Sequence, residues 1–157
     1  MDCMMVNTFL PFADFTRSAK CLDMKRCGKQ RVEARQIIST IENPNAKGWR
    51  NHPAVNMWRG YVPALKAYFN AIVREWIARG YKNNLELYDV DESKVEMPWW
   101  FGVDAFHMSH QASLVRKNKD YYTDLFPDLD SNYRDKGYGW PKEYEMNGFV
   151  RRVISFS

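Results

Sequence analysis

Apolar residues along the first third of the chain recur with the period of an α-helix. The pattern predicts helix from Asp14 to about Glu42, with Asp14 or Thr16 as the N-cap and Gly28 as an interruption. In the second part of this segment the apolar positions share one side and should face the core; they are Ala34, Ile37, Ile38 and Ile41.

The opposite side of this helix is polar and mainly cationic. At 100° per residue, the positions that fall together there are Lys29, Glu33, Gln36 and Thr40. Arg31 and Arg35 flank the apolar stripe on its far side. The segment is therefore expected to bury one face and to present a charged one.

Weaker patterns follow. Residues 43–51 are rich in Asn, Pro and Gly and predict a loop, and Pro63 begins a long helix that Gly80 ends. The buried stripe of that helix should hold Leu65, Phe69, Ile72, Val73 and Trp76. Ser109 is a candidate cap for a shorter helix, and only Phe149–Phe156 alternates as a strand does.

These elements indicate a mostly α fold. We expect residues 1–157 to form a single compact helical domain. Residues 1–12 would be an N-terminal arm, and residues 127–157 a long, irregular, aromatic-rich C-terminal segment.

Composition excludes several classes of protein. With 45% hydrophobic residues and a net charge of +4, the chain is neither a coiled coil, nor collagen-like, nor wholly disordered. No apolar stretch approaches the ~20 residues needed to cross a bilayer, and Asp2 stands where a secretion signal is basic. We therefore expect a cytoplasmic protein, in the host cell if a phage encodes it, with its odd set of cysteines (Cys3, Cys21 and Cys27) reduced.

Cations concentrate between Ser18 and Arg35. They are Lys20, Lys25, Arg26, Lys29, Arg31 and Arg35, against only Asp23 and Glu33. Such a cluster attracts polyanions through counterion release, although many basic helices are simply solvated. Nucleic acid is the partner that this cluster favours.

Common catalytic and cofactor motifs are absent from the sequence, and we expect no cofactor and no metal. Asp104, His107 and His110 have a spacing from which a metal site is conceivable, but histidines that cap or hydrogen-bond near a helix start explain it better. Cys27, between Arg26 and Lys29, could have a lowered thiol pKa, whereas burial would make it inert.

The segment Leu22–Ile37 suits a nucleic acid. Arginine and lysine bind phosphate oxygens, and glutamine can pair with a base edge. Glu33 amid cations would stay ionised, and could stabilise a developing cation or orient a water molecule. An ordinary intrahelical ion pair between Lys29 and Glu33 is the alternative.

Aromatic residues are numerous, at 15% of the chain. Their planes can stack on unpaired bases, although most such side chains belong to protein cores. The candidates are Trp49, Trp58, Trp99, Trp100, Tyr121, Tyr122, Tyr138 and Trp140. Trp49, in an Asn- and Gly-rich loop, and Trp140, in YGWP, are expected to be partly exposed.

Several sequence blocks together carry a family resemblance. They are Thr8–Phe12 (TFLPF), Leu22–Ile37 (LDMKRCGKQRVEARQI), Gly48–Trp58 (GWRNHPAVNMW), Ala78–Tyr81 (ARGY), Ser109–Lys117 (SHQASLVRK), and the pairs Phe126-Pro127 and Trp140-Pro141. The chain resembles the pyrimidine-dimer DNA glycosylase/AP lyase superfamily, of the phage endonuclease V type, and most closely a bacterial and phage branch of it.

The resemblance implies a mechanism. In those enzymes the amino-terminal α-amine attacks the sugar carbon of a damaged nucleotide to form an imine, a glutamate on the first helix assists, and elimination cleaves the strand. The positions that match the family's arginine–glutamate pair are Arg26-Cys27 or Cys27-Gly28, so Glu33 is the nearest substitute, with Asp23 behind it. The amine would belong to Met1 or, after a start at Met5, to Val6.

The resemblance therefore implies a monomeric enzyme on double-stranded DNA, with no membrane partner. It would be a glycosylase, with or without AP lyase activity, that flips a damaged or modified pyrimidine. Its catalytic residues would be Glu33, Asp23 and Cys27. DNA contacts would come from Arg26, Lys29, Gln30, Arg31, Arg35, Gln36, Asn51, His52, His110, Arg116 and Lys117, and base stacking from Trp49, Trp58 and Trp140.

Two alternatives remain open. The first is a non-catalytic module that reads modified bases in DNA and needs only the cations. The second is an enzyme on free nucleotides or RNA that uses the same pocket.

Overall fold

The computed structural model describes residues 6–46 and 48–156, and of Trp49 the backbone alone. The expectations for Met1, Asp2, Cys3 and Met5 lie outside these residues. The described chain forms two compact units. The first holds residues 6–9 and Asp14–Pro98, and the second holds Leu10–Ala13 and residues 99–156.

The first unit is helical. Its helices are α1 (Phe15–Cys21), α2 (Met24–Glu42), α3 (Pro53–Asn56) and α4 (Val62–Ala78), with a 3-10 turn at Trp49–Asn51. Asp14 is the N-cap of α1, as predicted, because its carboxylate accepts a hydrogen bond from the Arg17 N–H over 2.7 Å. Tyr88 and its neighbours follow α4 without regular structure.

The predicted interruption at Gly28 is wrong. The break falls at Leu22 and Asp23, whose backbones are extended, and α2 runs unbroken through Gly28. A Cβ at Gly28 would lie 3.1 Å from the Trp76 ring of α4. Glycine at this position serves the close approach of two helices.

The predicted apolar faces of α2 and α4 pack together. On α2, Ala34, Ile37 and Ile38 are fully buried. On α4 the buried stripe includes Leu65, Phe69, Ile72 and Val73, whereas Trp76 is only half-buried. Gly80 takes a φ of +89° just after α4, which is the left-handed conformation expected of a glycine that ends a helix.

The second unit contains α5 (Asp104–Lys117), the short α6 (Lys119–Tyr122), and 3-10 turns at Thr123–Leu125 and Ser131–Tyr133. The predicted start at Ser109 is wrong, because α5 begins five residues earlier, after a turn at Gly102 with φ of +94°. Ser109 instead lies mid-helix, and its hydroxyl donates to the Phe106 carbonyl over 2.7 Å.

A hairpin of β1 (Gly139–Met146) and β2 (Phe149–Phe156) ends the described chain. The strand prediction for Phe149–Phe156 is confirmed, but the expectation of an irregular segment is wrong from residue 139 onward. Asn147 and Gly148, with φ of +50° and +83°, make the two-residue turn that favours tight hairpins. The mostly α class is confirmed, and no helix in the described ranges is long and apolar enough to cross a membrane.

Candidate functional site

A buried glutamine organises the inner edge of α2. The Gln30 Oε1 atom accepts a hydrogen bond from the Phe9 N–H over 2.9 Å, and its Nε2 donates to the Asn7 carbonyl over 2.9 Å and to Glu33 Oε2 over 2.8 Å. The side chain is fully buried. The expectation that Gln30 reads a base edge is therefore wrong for the folded protein.

Tyr68 of α4 completes this network. Its hydroxyl oxygen lies 2.6 Å from Gln30 Oε1 and 2.8 Å from the Phe9 carbonyl oxygen, both of which are acceptors. Burial, and then the negative charge of Glu33, hold the Tyr68 pKa well above its usual value, so the hydroxyl remains a donor. It keeps the Gln30 carbonyl directed inward.

A tryptophan between α3 and α4 packs beside this network. Trp58 is fully buried, and its indole N–H donates to the Thr8 hydroxyl over 3.0 Å. Its ring centroid lies 6.2 Å from that of Tyr68. Because no face of Trp58 is exposed, the expectation that it stacks on a base is wrong for this conformation.

One donor next to this network is unsatisfied. The Asn7 carbonyl and side-chain Oδ1 both accept hydrogen bonds, from Gln30 and from the Thr8 N–H. The Asn7 Nδ2 atom, in contrast, is buried and has no hydrogen-bond partner among the described residues. A buried donor of this kind calls for an explanation, and an acceptor on a ligand would satisfy it.

Glu33 lies at the border between this buried network and the surface. It is half-buried and accepts the Gln30 hydrogen bond. The alternative reading, an ion pair between Lys29 and Glu33, is not observed in the part of the chain that the structure describes. The carboxylate is thus positioned by an amide.

Four cations of α2 are placed to bind an anion. Lys25, Lys29 and Arg35 are exposed and Arg26 is half-buried, with its guanidinium 6.0 Å from the centroid of the Phe9 ring. Within the described ranges, none of them forms an ion pair with a carboxylate. Gln36 lies exposed on the same face of α2 as Lys29.

Arg31 is held differently. Its Nη1 donates to Asn83 Oδ1 over 2.7 Å, and its guanidinium lies 4.9 Å from the Trp76 ring centroid. Its Nε is buried and has no hydrogen-bond partner among the described residues. The side chain therefore secures the segment after α4 against α2 rather than extending into solvent.

A pocket of about 370 Å³ lies at the far edge of α2. It is lined by Arg35, Asn84, Glu86, Leu87 and Tyr88. Arg35 is nine positions from Arg26, which places it about 180° around the helix. This pocket is therefore on the side of α2 opposite to Glu33.

Cys27 is not an activated thiol. It is fully buried, with its sulfur 3.9 Å from the Ile72 carbonyl oxygen. Burial raises the Cys27 pKa to about 11, so the expectations of a lowered pKa and of a catalytic role are wrong. Asp23 is the N-cap residue of α2. It precedes Glu33 by ten positions along the helix.

The residues near α3 that were predicted to contact a base differ in exposure. His52 caps α3, because its Nδ1 accepts from the Ala54 N–H over 3.0 Å, and burial lowers its pKa so that the ring is neutral. Asn51 is exposed, at the end of the 3-10 turn. The side chain of Trp49 lies outside what the structure describes.

In the second unit, His110 and His107 are structural. His110 is fully buried; its Nδ1 accepts from the Leu10 N–H over 2.9 Å, and burial, aided by His107, lowers its pKa to about 3. His107 donates to the Leu10 carbonyl and accepts from the Gly102 N–H. The DNA contact expected of His110 is therefore wrong, and no group of three potential metal ligands clusters among the described residues.

Three further predicted residues belong to this unit. Arg116 is exposed but donates to the Arg134 carbonyl and the Ser113 hydroxyl, both over 2.9 Å, and Lys117 is exposed. Trp140 is only 7% exposed, with its ring centroid 5.5 Å from that of Tyr138. The expectation that Trp140 is partly exposed and stacks on a base is wrong.

Sequence reasoning missed Asn7, Thr8 and Tyr68. Polar residues in the segment before α1 gave no sign of burial. Tyr68 follows Leu65 by three positions and precedes Ile72 by four, so helical spacing could have placed it on the buried face.

Comparison with known proteins adds one finding. The model of the family described as pyrimidine dimer DNA glycosylase matches residues 6–89, which is more than half of the chain and contains α1 to α4. No curated protein and no solved structure matches the chain. The buried network and the α2 cations all lie inside the matched range.

Proposed function

The chain belongs to the pyrimidine dimer DNA glycosylase family, and from that premise we propose that it removes a damaged or modified pyrimidine from double-stranded DNA. The observation that carries the proposal is the composition of α2. A half-buried carboxylate, Glu33, lies on the same helix as cations that no described carboxylate neutralises. That combination suits a polyanion whose sugar becomes positively charged in the transition state.

The proposed chemistry uses Glu33. When the bond between the sugar carbon and the base nitrogen breaks, its electron pair leaves with the base and positive charge develops on the sugar. An ionised Glu33, held by the Gln30 amide, stabilises that charge. Water, or an amine in the lyase version, then adds to the sugar carbon and loses a proton, which the departing base takes up.

Binding would rest on the outer surface of α2. Arg26 and Lys29, close to Glu33 on this surface, would contact phosphates, and Gln36 would lie beside them. The exposed Lys25, Asn51, Arg116 and Lys117 are further proposed contacts, whereas Arg35 lies on the opposite side of α2. The flipped base would need an acceptor or donor partner, and the unsatisfied Asn7 Nδ2 supplies a donor.

The test is direct. The full chain is incubated with duplexes that each carry one modified pyrimidine, with and without borohydride, and released base and trapped adduct are measured by mass spectrometry. We expect base release from at least one duplex, reduced about 100-fold or more in Glu33→Gln with duplex affinity retained. Glu96→Gln, which changes an exposed carboxylate, is the matched control. The absence of both base release and trapped adduct across the whole panel would defeat the proposal.

A non-catalytic DNA-binding module is the second candidate. It is favoured by one observation: the positions that match the family's glutamate hold a buried thiol, Cys27, and a glycine packed on Trp76. This candidate predicts salt-dependent duplex binding that Glu33→Gln leaves unchanged, with no base release from the wild type. The assay above separates the two.

A further inference from the structure

The two faces of the β1–β2 hairpin differ in chemistry. Cross-strand partners share a face, and faces alternate along each strand. The register pairs Met146 with Phe149, Tyr144 with Arg151, and Lys142 with Val153, which places these side chains together. We call Lys142, Tyr144, Met146, Phe149 and Arg151 the basic face of the hairpin; it contains two cations and no carboxylate.

Both glutamates of the hairpin lie on the other face. Glu143 pairs with Arg152 in the register, and Glu145 pairs with Val150. Arg152 donates to Glu143 over 2.9 Å, so its charge is neutralised, and its guanidinium lies 5.7 Å from the Trp99 ring centroid. The charges of this short hairpin are therefore segregated by face.

The basic face is exposed near the turn and anchored at the other end. Phe149 is 77% exposed and Met146 is 59% exposed, and residues 142–152 are exposed throughout. At the other end, the Gly139 N–H donates to the Ser109 hydroxyl over 3.0 Å, which ties β1 to α5. Met146 and Phe149, which are cross-strand partners, thus form an exposed apolar pair on the face that carries the two cations.

We propose that the basic face of the hairpin is a DNA-binding surface, with Phe149 and Met146 packed against bases or sugars in a groove and Arg151 and Lys142 on phosphates. Apolar wedges flanked by cations are a recurrent way in which proteins contact the minor groove. Neither cation has a carboxylate partner in the part of the chain that the structure describes, so a polyanion complements this face.

This inference takes DNA as the ligand from the proposed function but does not require base removal. The hairpin also lies outside the matched range of residues 6–89. It would add a contact that the family match does not cover.

The experiment compares matched pairs of variants in the full chain. Fluorescence anisotropy measures affinity for an unmodified 20-base-pair duplex between 50 and 200 mM salt. We expect Phe149→Ala and Arg151→Gln each to weaken binding at least about fivefold, and Arg151→Gln to lower the salt slope by about 1. Val150→Ala and Arg152→Gln, which change an exposed apolar residue and an arginine on the other face, should stay within about twofold.

Two outcomes would overturn the inference. If all four variants bind as the wild type does, the hairpin does not contact DNA, while base release in the assay above would still support the proposed function. If Phe149→Ala alters the sedimentation behaviour of the protein but not its duplex affinity, the basic face binds a second copy of the chain. Circular dichroism of each variant verifies folding. Absence of base release by the wild-type protein, with its duplex affinity intact, would count against the proposed function alone.

Discussion

Gln30 and Glu33 lie about one turn apart on α2, and the Gln30 Nε2 atom donates to Glu33 Oε2 over 2.8 Å. The glutamine is wholly inside the protein while the glutamate reaches its surface. The buried amide thus sets the direction of a carboxylate that faces outward, and it is itself fixed by Phe9 and Tyr68. Both the stability of the protein and its proposed activity should therefore depend on Gln30.

Gln30→Leu should therefore destabilise the protein. The substitution leaves the Phe9 N–H and the Asn7 carbonyl without their buried partner, while the Tyr68 hydroxyl keeps only the Phe9 carbonyl as acceptor, at a cost of about 2–4 kcal/mol in the free energy of unfolding. Urea unfolding measures the loss. The control is Gln36→Leu, on the exposed face of the same helix, which should change stability by less than about 0.5 kcal/mol. Equal effects of both variants would contradict the buried role.

Lys29 and Arg31 should behave differently on substitution. Lys29→Gln removes an exposed cation, and we expect weaker duplex binding and a salt slope smaller by about 1, with unchanged stability. Arg31→Gln removes the hydrogen bond to Asn83 and the contact with Trp76, so it should lower the free energy of unfolding by about 1–2 kcal/mol. Anisotropy titrations and urea unfolding of both variants measure the difference, and a reversed pattern would refute it.

Cys27 should be unreactive in the folded protein. Burial raises its pKa to about 11, so very little thiolate is present at pH 8. Alkylation at pH 8, mapped by peptide mass spectrometry, should label Cys27 only after denaturant is added. Cys27→Ala should also retain base release if the proposed function holds. Fast labelling of the native chain at this position would contradict the structure.

Stability should fall on acidification because of His110. Its folded-state pKa of about 3 lies below the ordinary value, so between about pH 6.5 and 3 the unfolded chain binds a proton that the folded chain does not. This contribution is complete above pH 6.5 and is lost as the pH falls, with a slope of at most about 1.4 kcal/mol per pH unit. His110→Asn keeps an acceptor for the Leu10 N–H, and urea unfolding at pH 7.5 and 5 should show a weaker pH dependence.

Gly139→Ala should disturb the base of the hairpin. The added Cβ would lie 2.6 Å from Ile154 Cγ2 and 3.1 Å from the Ser109 hydroxyl oxygen, so atoms must shift, at about 1–3 kcal/mol. Thermal unfolding measures this cost. Ile154→Ala makes room for the new methyl group, so the double variant should be less destabilised than the sum of the two single changes. Additive effects would show that the clash does not arise.

The helical part of the fold was predictable because one physical signal dominates it. Apolar residues that recur with the period of an α-helix place Ile37 and Ile38 on one face and Lys29 on another, whatever the tertiary structure is. Of the hairpin only β2 was predicted. In β1, Pro141 and the charged residues obscure the alternation of apolar and polar positions that indicates a strand. A strand of this kind depends on the partner that the Asn147-Gly148 turn supplies.

Buried polar residues of the site were harder to predict. Gln30 was assigned to the DNA surface on its residue type, although Ala34 and Ile37 follow it at spacings that share the apolar face. Spacing would have placed it inside, but its partners could not be known. Those partners come from residues 7–9 and from α4, and only the folded chain brings them together.

The position of Arg79 has a consequence for the order of folding. Its guanidinium donates to the carbonyls of Ala19, Lys20 and Leu22, close to sixty residues earlier in the chain, and to Glu75 one turn before it. The Lys20 and Leu22 carbonyls thus receive these hydrogen bonds only after a long loop has closed, which is entropically slow. Amide protons around the junction of α1 and α2 should consequently exchange with solvent in concert with those of α4, as one cooperative opening unit.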